Sequence, residues 1–185
     1  LALIALSGSL LYNSTKSNAG IVGDWIYNPD TQHEYALTTE GTWRSNRAIA
    51  QSVGGYLVSI NNSEEKEWLV NNFNPPIPTM SIGLTDEQEE GIFRWESGEP
   101  RSYQNWRGGE PNNLENEDYT VMHTIFGNST YPGNLPGQWQ DYDGIAPLSG
   151  IVERAIPEPS SLALIMAGSL GIISKRLKRN RSEAK

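Results

Sequence analysis

The sequence predicts an α+β domain, and three observations carry that expectation. Two segments with helical spacing and capping residues, opening near Thr42 and Ser63, occupy the first half. From Thr79 onward the pattern changes to short apolar runs separated by polar loops, the mark of strands. One connection, residues 97–118, is rich in Gly, Pro, Asn and Glu. A structureless segment that long belongs in a compact domain only when it is functional.

Taken in order, residues 20–32 read as a linker or edge strand with a turn at Asn28-Pro29-Asp30, and His33–Leu37 as a strand. Thr42 caps the first helix, which turns Ile49, Ala50 and Val53 to one face and stops at Gly54-Gly55. Tyr56–Ile60 is a short apolar strand. Ser63 caps the second helix, with Glu64 and Glu65 at its positive end and Trp68, Leu69 and Phe73 pointing inward. Pro75, Pro76 and Pro78 end it. Strands are expected at Met80–Leu84, Ile92–Trp95, Tyr119–His123, Gln138–Tyr142 and Gly150–Arg154, with an acidic turn over Asp86–Glu90 in which Glu87 and Glu89 face solvent.

Composition narrows the chemistry. The 185 residues include no cysteine, which excludes a disulfide scaffold, a thiolate zinc site and a cysteine nucleophile. The two histidines, His33 and His123, stand far apart in sequence and are assigned structural roles. The formal net charge is -8. Lys175, Arg176, Lys178, Arg179, Arg181 and Lys185 face Glu183 alone at the C-terminal end, so the body before them is more acidic still. Such a body repels phosphate, which argues against nucleic acid as a partner, and it suits cations.

Both ends read as addresses. The apolar run of residues 1–12 fits the core of a secretory signal peptide, with Ser17-Asn18-Ala19 as a cleavage site and a charged leader region missing; residues 1–19 are expected to be a truncated signal, against the plainer reading of a short buried helix. At the other end Pro157-Glu158-Pro159 leads into an apolar stretch over Leu162–Ile173 and then a basic cluster. That stretch is short of the ~20 residues that span a bilayer comfortably, and basic residues after it mark a cytoplasmic flank. The three-part order resembles the PEP-CTERM sorting signal of Gram-negative bacteria. The resemblance implies an exosortase-type processing enzyme, transient membrane anchoring by the tail, and an exported protein of the cell envelope, cell surface or extracellular matrix. A plain membrane tail would leave the compartment unchanged.

The long connection carries the chemistry. Glu110 and Asn112 flank Pro111, whose peptide bond is of the kind that tolerates cis, and Glu117-Asp118 lie within reach if the chain between loops back. Carboxylates and amide carbonyls without His or Cys are the ligand set of a hard cation, Ca²⁺ above all. Set in order, the strand at His33-Glu34-Tyr35, the helix start at Thr42-Trp43, Gly54–Ile60, Ile82–Asp86, Phe93-Arg94-Trp95, Asn105-Trp106, Gly109–Asn113, Glu117-Asp118-Tyr119 and Trp139-Gln140-Asp141 resemble the C-type lectin-like domain over residues 33–154.

That resemblance implies two helices flanking antiparallel strands, with a long calcium-binding loop region. It implies a principal Ca²⁺ on Glu110, Asn112, Glu117 and Asp141, with Gln140 where the family has Asn, and the same five residues as the carbohydrate-binding set. Glu-Pro-Asn implies mannose-type selectivity, with vicinal sugar hydroxyls on the ion and a glycan or extracellular polysaccharide as partner. A second metal site maps to Asp86, Glu90, Asn113 and Asp118, with the Glu117 carbonyl. Three departures stand out: Gln140 is one methylene longer than Asn, the family's cysteines are absent with Tyr119 at one such position, and Asn113 replaces a frequent Asp. Trp106 and Trp139 are assigned to the core rather than to sugar stacking. The domain plan is thus 1–19 signal, 20–32 linker or edge strand, 33–154 lectin-like domain, 155–161 linker and 162–185 sorting tail. The alternatives are a protein-binding or adhesion module with structural calcium and, last, a glycoside-cleaving carboxylate pair, for which no nucleophile–base pair is visible.

Overall fold

The computed structural model describes residues 19–73, 79–125 and 135–156. The expected signal segment up to residue 18, the three prolines after the second helix, and the tail from residue 157 lie outside the described residues. Ten elements follow in chain order: β1 (Ile21–Asn28), β2 (His33–Thr38), α1 (Trp43–Ser52), β3 (Tyr56–Leu57), α2 (Ser63–Asn72), β4 (Thr79–Thr85), β5 (Arg94–Trp95), β6 (Tyr119–His123), β7 (Trp139–Tyr142) and β8 (Ile151–Ala155). They build two antiparallel four-stranded sheets, ordered β1-β2-β8-β3 and β5-β4-β6-β7. The arrangement is α+β.

The helices start where side chains satisfy their free N–H groups. Thr42 caps α1 by accepting from Ser45 N at 3.2 Å. The buried face of α1 is Trp43, Asn46 and Ala50, continued by Val53, and Ile49 is only half-buried beside it. α2 is capped by Asn62 rather than Ser63: Asn62 Oδ1 accepts from Glu65 N at 2.8 Å. That register puts Glu65 at the third helical position, where its Oε2 reaches back to Asn61 N at 2.9 Å, a capping box displaced by one residue. Glu65 is therefore buried rather than solvated.

Two strand boundaries, at β3 and β5, differ from expectation for reasons of hydrogen bonding. β3 ends at Leu57 because the next residue bridges the two sheets: Val58 N donates to Ile151 O at 2.8 Å, and Gly83 N donates to Val58 O at 2.9 Å. A Cβ on Gly83 would stand 2.2 Å from Leu57 O, so only glycine lets the sheets meet there. β5 begins at Arg94 because Ile92 N closes the preceding turn on Glu89 O. Residues 21–28 form the outermost strand of the first sheet, with a register shift between Val22 and Ile26.

The core is aromatic at its centre. Trp139 is fully buried, and Trp95, Tyr103 and Trp106 meet it edge-on at ring distances of 5.6, 5.7 and 5.8 Å. Trp139 and Trp106 are thus packing residues. Trp43, also fully buried, donates its indole N–H to Ile82 O at 2.8 Å and stacks on Tyr119 at 4.5 Å. Tyr119 Oη accepts from Arg44 Nε and donates to Glu87, which Arg44 also contacts. Glu87 is therefore a structural acid. Away from the loops, Tyr35 Oη donates toward Glu65 Oε1 (2.8 Å) and Glu153 Oε1 (3.1 Å), and His33 Nδ1 lies 2.6 Å from the same Glu153 oxygen.

Candidate metal centre

The long loop is pinned before it forms a site. Trp139 N donates to Asn105 O at 2.8 Å and Arg107 N donates to Trp139 O at 2.9 Å, so residues 105–107 run alongside β7. Arg107 then grips Glu110, Nη2 to Oε1 at 2.9 Å, and leaves the Glu110 side chain only 3% exposed. The Glu110–Pro111 bond is cis. Beyond it Asn112 N and Asn113 N donate to Asp141 Oδ2 at 3.0 and 2.8 Å, which fastens the loop to the middle of β7. The turn back passes through Asn113, Glu115 and Asn116 at positive φ, two of them the residue type that best tolerates it. Glu117 closes the turn: its N–H donates to Asn113 Oδ1 at 2.8 Å and its Oε2 accepts from Leu114 N at 3.2 Å.

The result is three carboxylates, Glu110, Glu117 and Asp141, with oxygens all within 4.8 Å of one another. Asn112 stands beside them, its Nδ2 donating to Glu110 Oε2 at 2.6 Å. Crowding shows in the acidities. Burial first, then the charges of Asp141 and Glu110, push Glu117 up to about 7. Burial and Asp141 raise Glu110, while Arg107 pulls it back. Such a group suits a cation. Ca²⁺ binds oxygen at about 2.3–2.6 Å, so oxygens sharing one ion stand up to about 5 Å apart, and these do. Ligation by Asn112 asks its amide to turn over, because Oδ1 now accepts from Leu114 N.

Gln140 stands next to Asp141 on β7, with its side chain engaged by a different neighbour. Adjacent strand residues alternate faces, and Gln140 pairs with Val121 while Asp141 pairs with Thr120. The Gln140 side chain hydrogen-bonds the His123 ring, whose pKa burial lowers to about 4. Sequence reasoning missed this bond, and it missed Arg107, whose place three residues before Glu110 was the available signal.

The second expected group is partly assembled. Asp86 is buried; its Oδ2 accepts from Gly91 N at 2.8 Å, and its Oδ1 has no hydrogen-bond partner among the described residues. Asn113 Nδ2 donates to Glu90 Oε1 at 2.7 Å, and Asn116 Nδ2 donates to Asp118 Oδ1 at 3.1 Å. Burial and then Asp86 raise both Glu90 and Asp118. A buried carboxylate oxygen without a hydrogen-bond partner keeps its lone pairs for a further ligand.

Comparison with known proteins decides the family. Residues 39–144 match the Lectin C-type domain. The chain belongs to the C-type lectin family. This lectin chain is 36% identical over 89 residues to a perlucin-like protein of Mytilus galloprovincialis and 34% identical over 97 residues to a mannose-binding protein of Gallus gallus. Those matches take 45% and 52% of this chain but only 57% and 34% of the relatives' lengths. Among solved structures, the cow CD23 carbohydrate-recognition domain, determined in the presence of a GlcNAc2Man3 oligosaccharide, aligns with a TM-score of 0.61 at 28% identity, over 71% of this chain and 93% of that one. The EPNH mutant of the lectin CEL-I aligns with a TM-score of 0.61 at 26% identity, over 71% and 94%. Residues 155–179 match the PEP-CTERM protein-sorting motif, which directs export and sorting to the cell envelope. Among the described residues no helix is long and apolar enough to cross a membrane.

Proposed function

We propose that this protein is an exported, calcium-dependent carbohydrate-binding lectin of mannose type, held at the cell surface or in the extracellular matrix of a Gram-negative bacterium. One observation carries the reading: Glu110, Glu117 and Asp141 converge within 4.8 Å, with Asn112 against them. In it these four residues hold Ca²⁺, and two vicinal sugar hydroxyls replace water on the ion's open side. A second Ca²⁺ sits on Asp86, Glu90, Asn113 and Asp118, supported by the unpaired Asp86 Oδ1. The lectin domain spans 33–154, between the 1–19 signal with its 20–32 extension and the 155–161 linker. The 162–185 tail anchors the chain transiently until an exosortase-type enzyme acts on it. The partner is a glycan or extracellular polysaccharide, and display of several copies supplies avidity. No catalysis is assigned, since carboxylates committed to a cation are not free for proton transfer.

Gln140 favours one other reading. With its amide on His123 the principal site has one fewer amide ligand, so calcium would order the loop while the lectin surface binds a protein. A glycan array probed with the full chain, with and without EDTA, separates the two. Mannose-type binding that chelation abolishes is the expected result. Calcium binding by calorimetry with no glycan hit supports the second reading, and release of sugar products would overturn both.

A further inference from the structure

The acidic turn after β4 and the end of the loop before β6 carry like charges. Asp86 and Glu90 stand on the turn and Asp118 on the loop, and burial followed by the charge of Asp86 raises both Glu90 and Asp118. Repulsion of this kind drives two surface segments apart. Asp86 N and Thr85 Oγ1 oppose it by donating to Asp118 O, at 3.2 and 2.8 Å. A further link lies beside them. Tyr119 Oη accepts from Arg44 Nε at 2.8 Å and donates to Glu87 Oε1 at 2.9 Å. Arg44 Nη2 contacts the same Glu87 oxygen, and Arg47 Nη1 stands 3.7 Å from the other. The hydroxyl thus joins β6, α1 and the turn at one point. Tyr119 follows Asp118 in sequence and Glu87 follows Asp86, so the link is adjacent to both carboxylates. The ring fixes where the hydroxyl can be: it stacks on Trp43 at 4.5 Å, meets Tyr142 edge-on at 6.5 Å and leaves no room for a side chain at Gly144. Arg44 is 68% exposed, and an ion pair so open to water contributes little unless its geometry is held. The seated tyrosine holds it.

We propose that Tyr119 is a positioning residue for the second cation group: its hydroxyl, with Arg44, holds Glu87 and the turn against β6, so that Asp86 and Glu90 stay beside Asp118 while no ion is bound. The inference rests on the reading of Asp86, Glu90, Asn113 and Asp118 as a calcium site. Carboxylates already held together by the fold leave more of the ion's interaction free energy to appear as affinity. Tyr119 touches no ion in this arrangement. It acts through Glu87 and the turn that Glu87 belongs to.

The test is Tyr119→Phe in the full chain, which keeps the ring and removes the hydroxyl. Amide hydrogen exchange followed by NMR in EDTA reads the positioning without any ion. Asp86 N, bonded to Asp118 O, and Gly91 N, bonded to Asp86 Oδ2, are expected to exchange about tenfold faster in the variant, the size of one hydrogen bond to a charged group. Asn113 N on Asp141 and Trp139 N on Asn105 O keep the parent's rates. Isothermal calorimetry with calcium chloride then shows one of two binding events weakened about tenfold and the other unchanged, and Glu117→Gln weakens that other event. Arg44→Ala, a change at the surface, reproduces Tyr119→Phe in both measurements, and the double variant adds little to either, because the two side chains serve one link. Unchanged exchange at Asp86 and Gly91, faster exchange spread evenly over the domain, or equal weakening of both calcium events would each overturn the proposal. A parent chain that binds a single calcium overturns the second-site reading instead, and exchange in EDTA still decides what Tyr119 holds.

Discussion

Glu117→Gln separates a cation site from a merely acidic surface, because it acts in opposite directions with and without the ion. Glu117 shares a 4.8 Å sphere with Glu110 and Asp141. Two unit charges at that separation repel by about 0.9 kcal/mol at the dielectric of water and about 3.5 kcal/mol at an effective value of 20. Glu117 is half-buried, so the water-like limit is the better guide, and two such pairs amount to about 1–2 kcal/mol. Glutamine keeps an oxygen for Leu114 N and loses the charge. In EDTA the variant therefore melts higher than the parent by roughly 3–6 °C. At calcium a hundredfold above its Kd the parent gains about 2.7 kcal/mol, and a variant binding tenfold more weakly gains about 1.4 kcal/mol. Differential scanning calorimetry at pH 8, with EDTA and then with calcium, reads both quantities. A variant no more stable than the parent in EDTA, or one with the parent's full calcium increment, would refute the convergence of charge on which the site rests.

Further outcomes follow from particular contacts. Glu110→Gln with Asn112→Asp moves glycan preference from mannose-type toward galactose-type ligands on an array, and unchanged selectivity would speak against sugar hydroxyls on the ion. Gly83→Ala costs about 3 kcal/mol by urea unfolding, since the added carbon meets the Leu57 carbonyl at 2.2 Å and backbone cannot yield as a side chain does. Trp43→Phe costs about 2–3 kcal/mol, through the lost bond to Ile82 O and the space the smaller ring leaves. Glu153 gives a pH dependence. Burial, aided by Glu65 and opposed by His33 and Ser59 N, holds its pKa up at about 7, so between the ordinary carboxylate range and 7 the folded chain binds a proton that the unfolded chain has released. Its contribution to stability is full at low pH and is lost as pH rises through about 7, and Glu153→Gln flattens that part of the melting profile measured in EDTA.

The fold was legible wherever one residue type had one local task. Thr42 marks the start of α1 because a hydroxyl before a helix has free N–H groups to satisfy, and Tyr119–His123 shows as β6 because a run of residues buried on both faces is apolar or small enough to stand out. Boundaries set by distant partners were not legible. β3 stops at Leu57 because Val58 is claimed by both sheets, and no local pattern announces that. The cap of α2 moved to Asn62 because Glu65 is drawn inward by Tyr35, thirty positions away in sequence.

By itself the sequence determined the chemistry on offer: oxygen ligands without sulfur, a proline between Glu110 and Asn112, an acidic body, and an export address at its end. Those follow from composition and short-range order, which no folding can alter. The tertiary structure alone decided which oxygens meet. Asp141 reaches Glu110 and Glu117 because β7 carries it beneath the loop and its carboxylate takes the N–H groups of Asn112 and Asn113. Gln140, one residue earlier, is turned by the alternation of the strand toward His123. Two neighbours in sequence thus part company in space. Which of two consecutive strand residues faces the loop depends on where the strand is paired, and that pairing is a property of the whole fold.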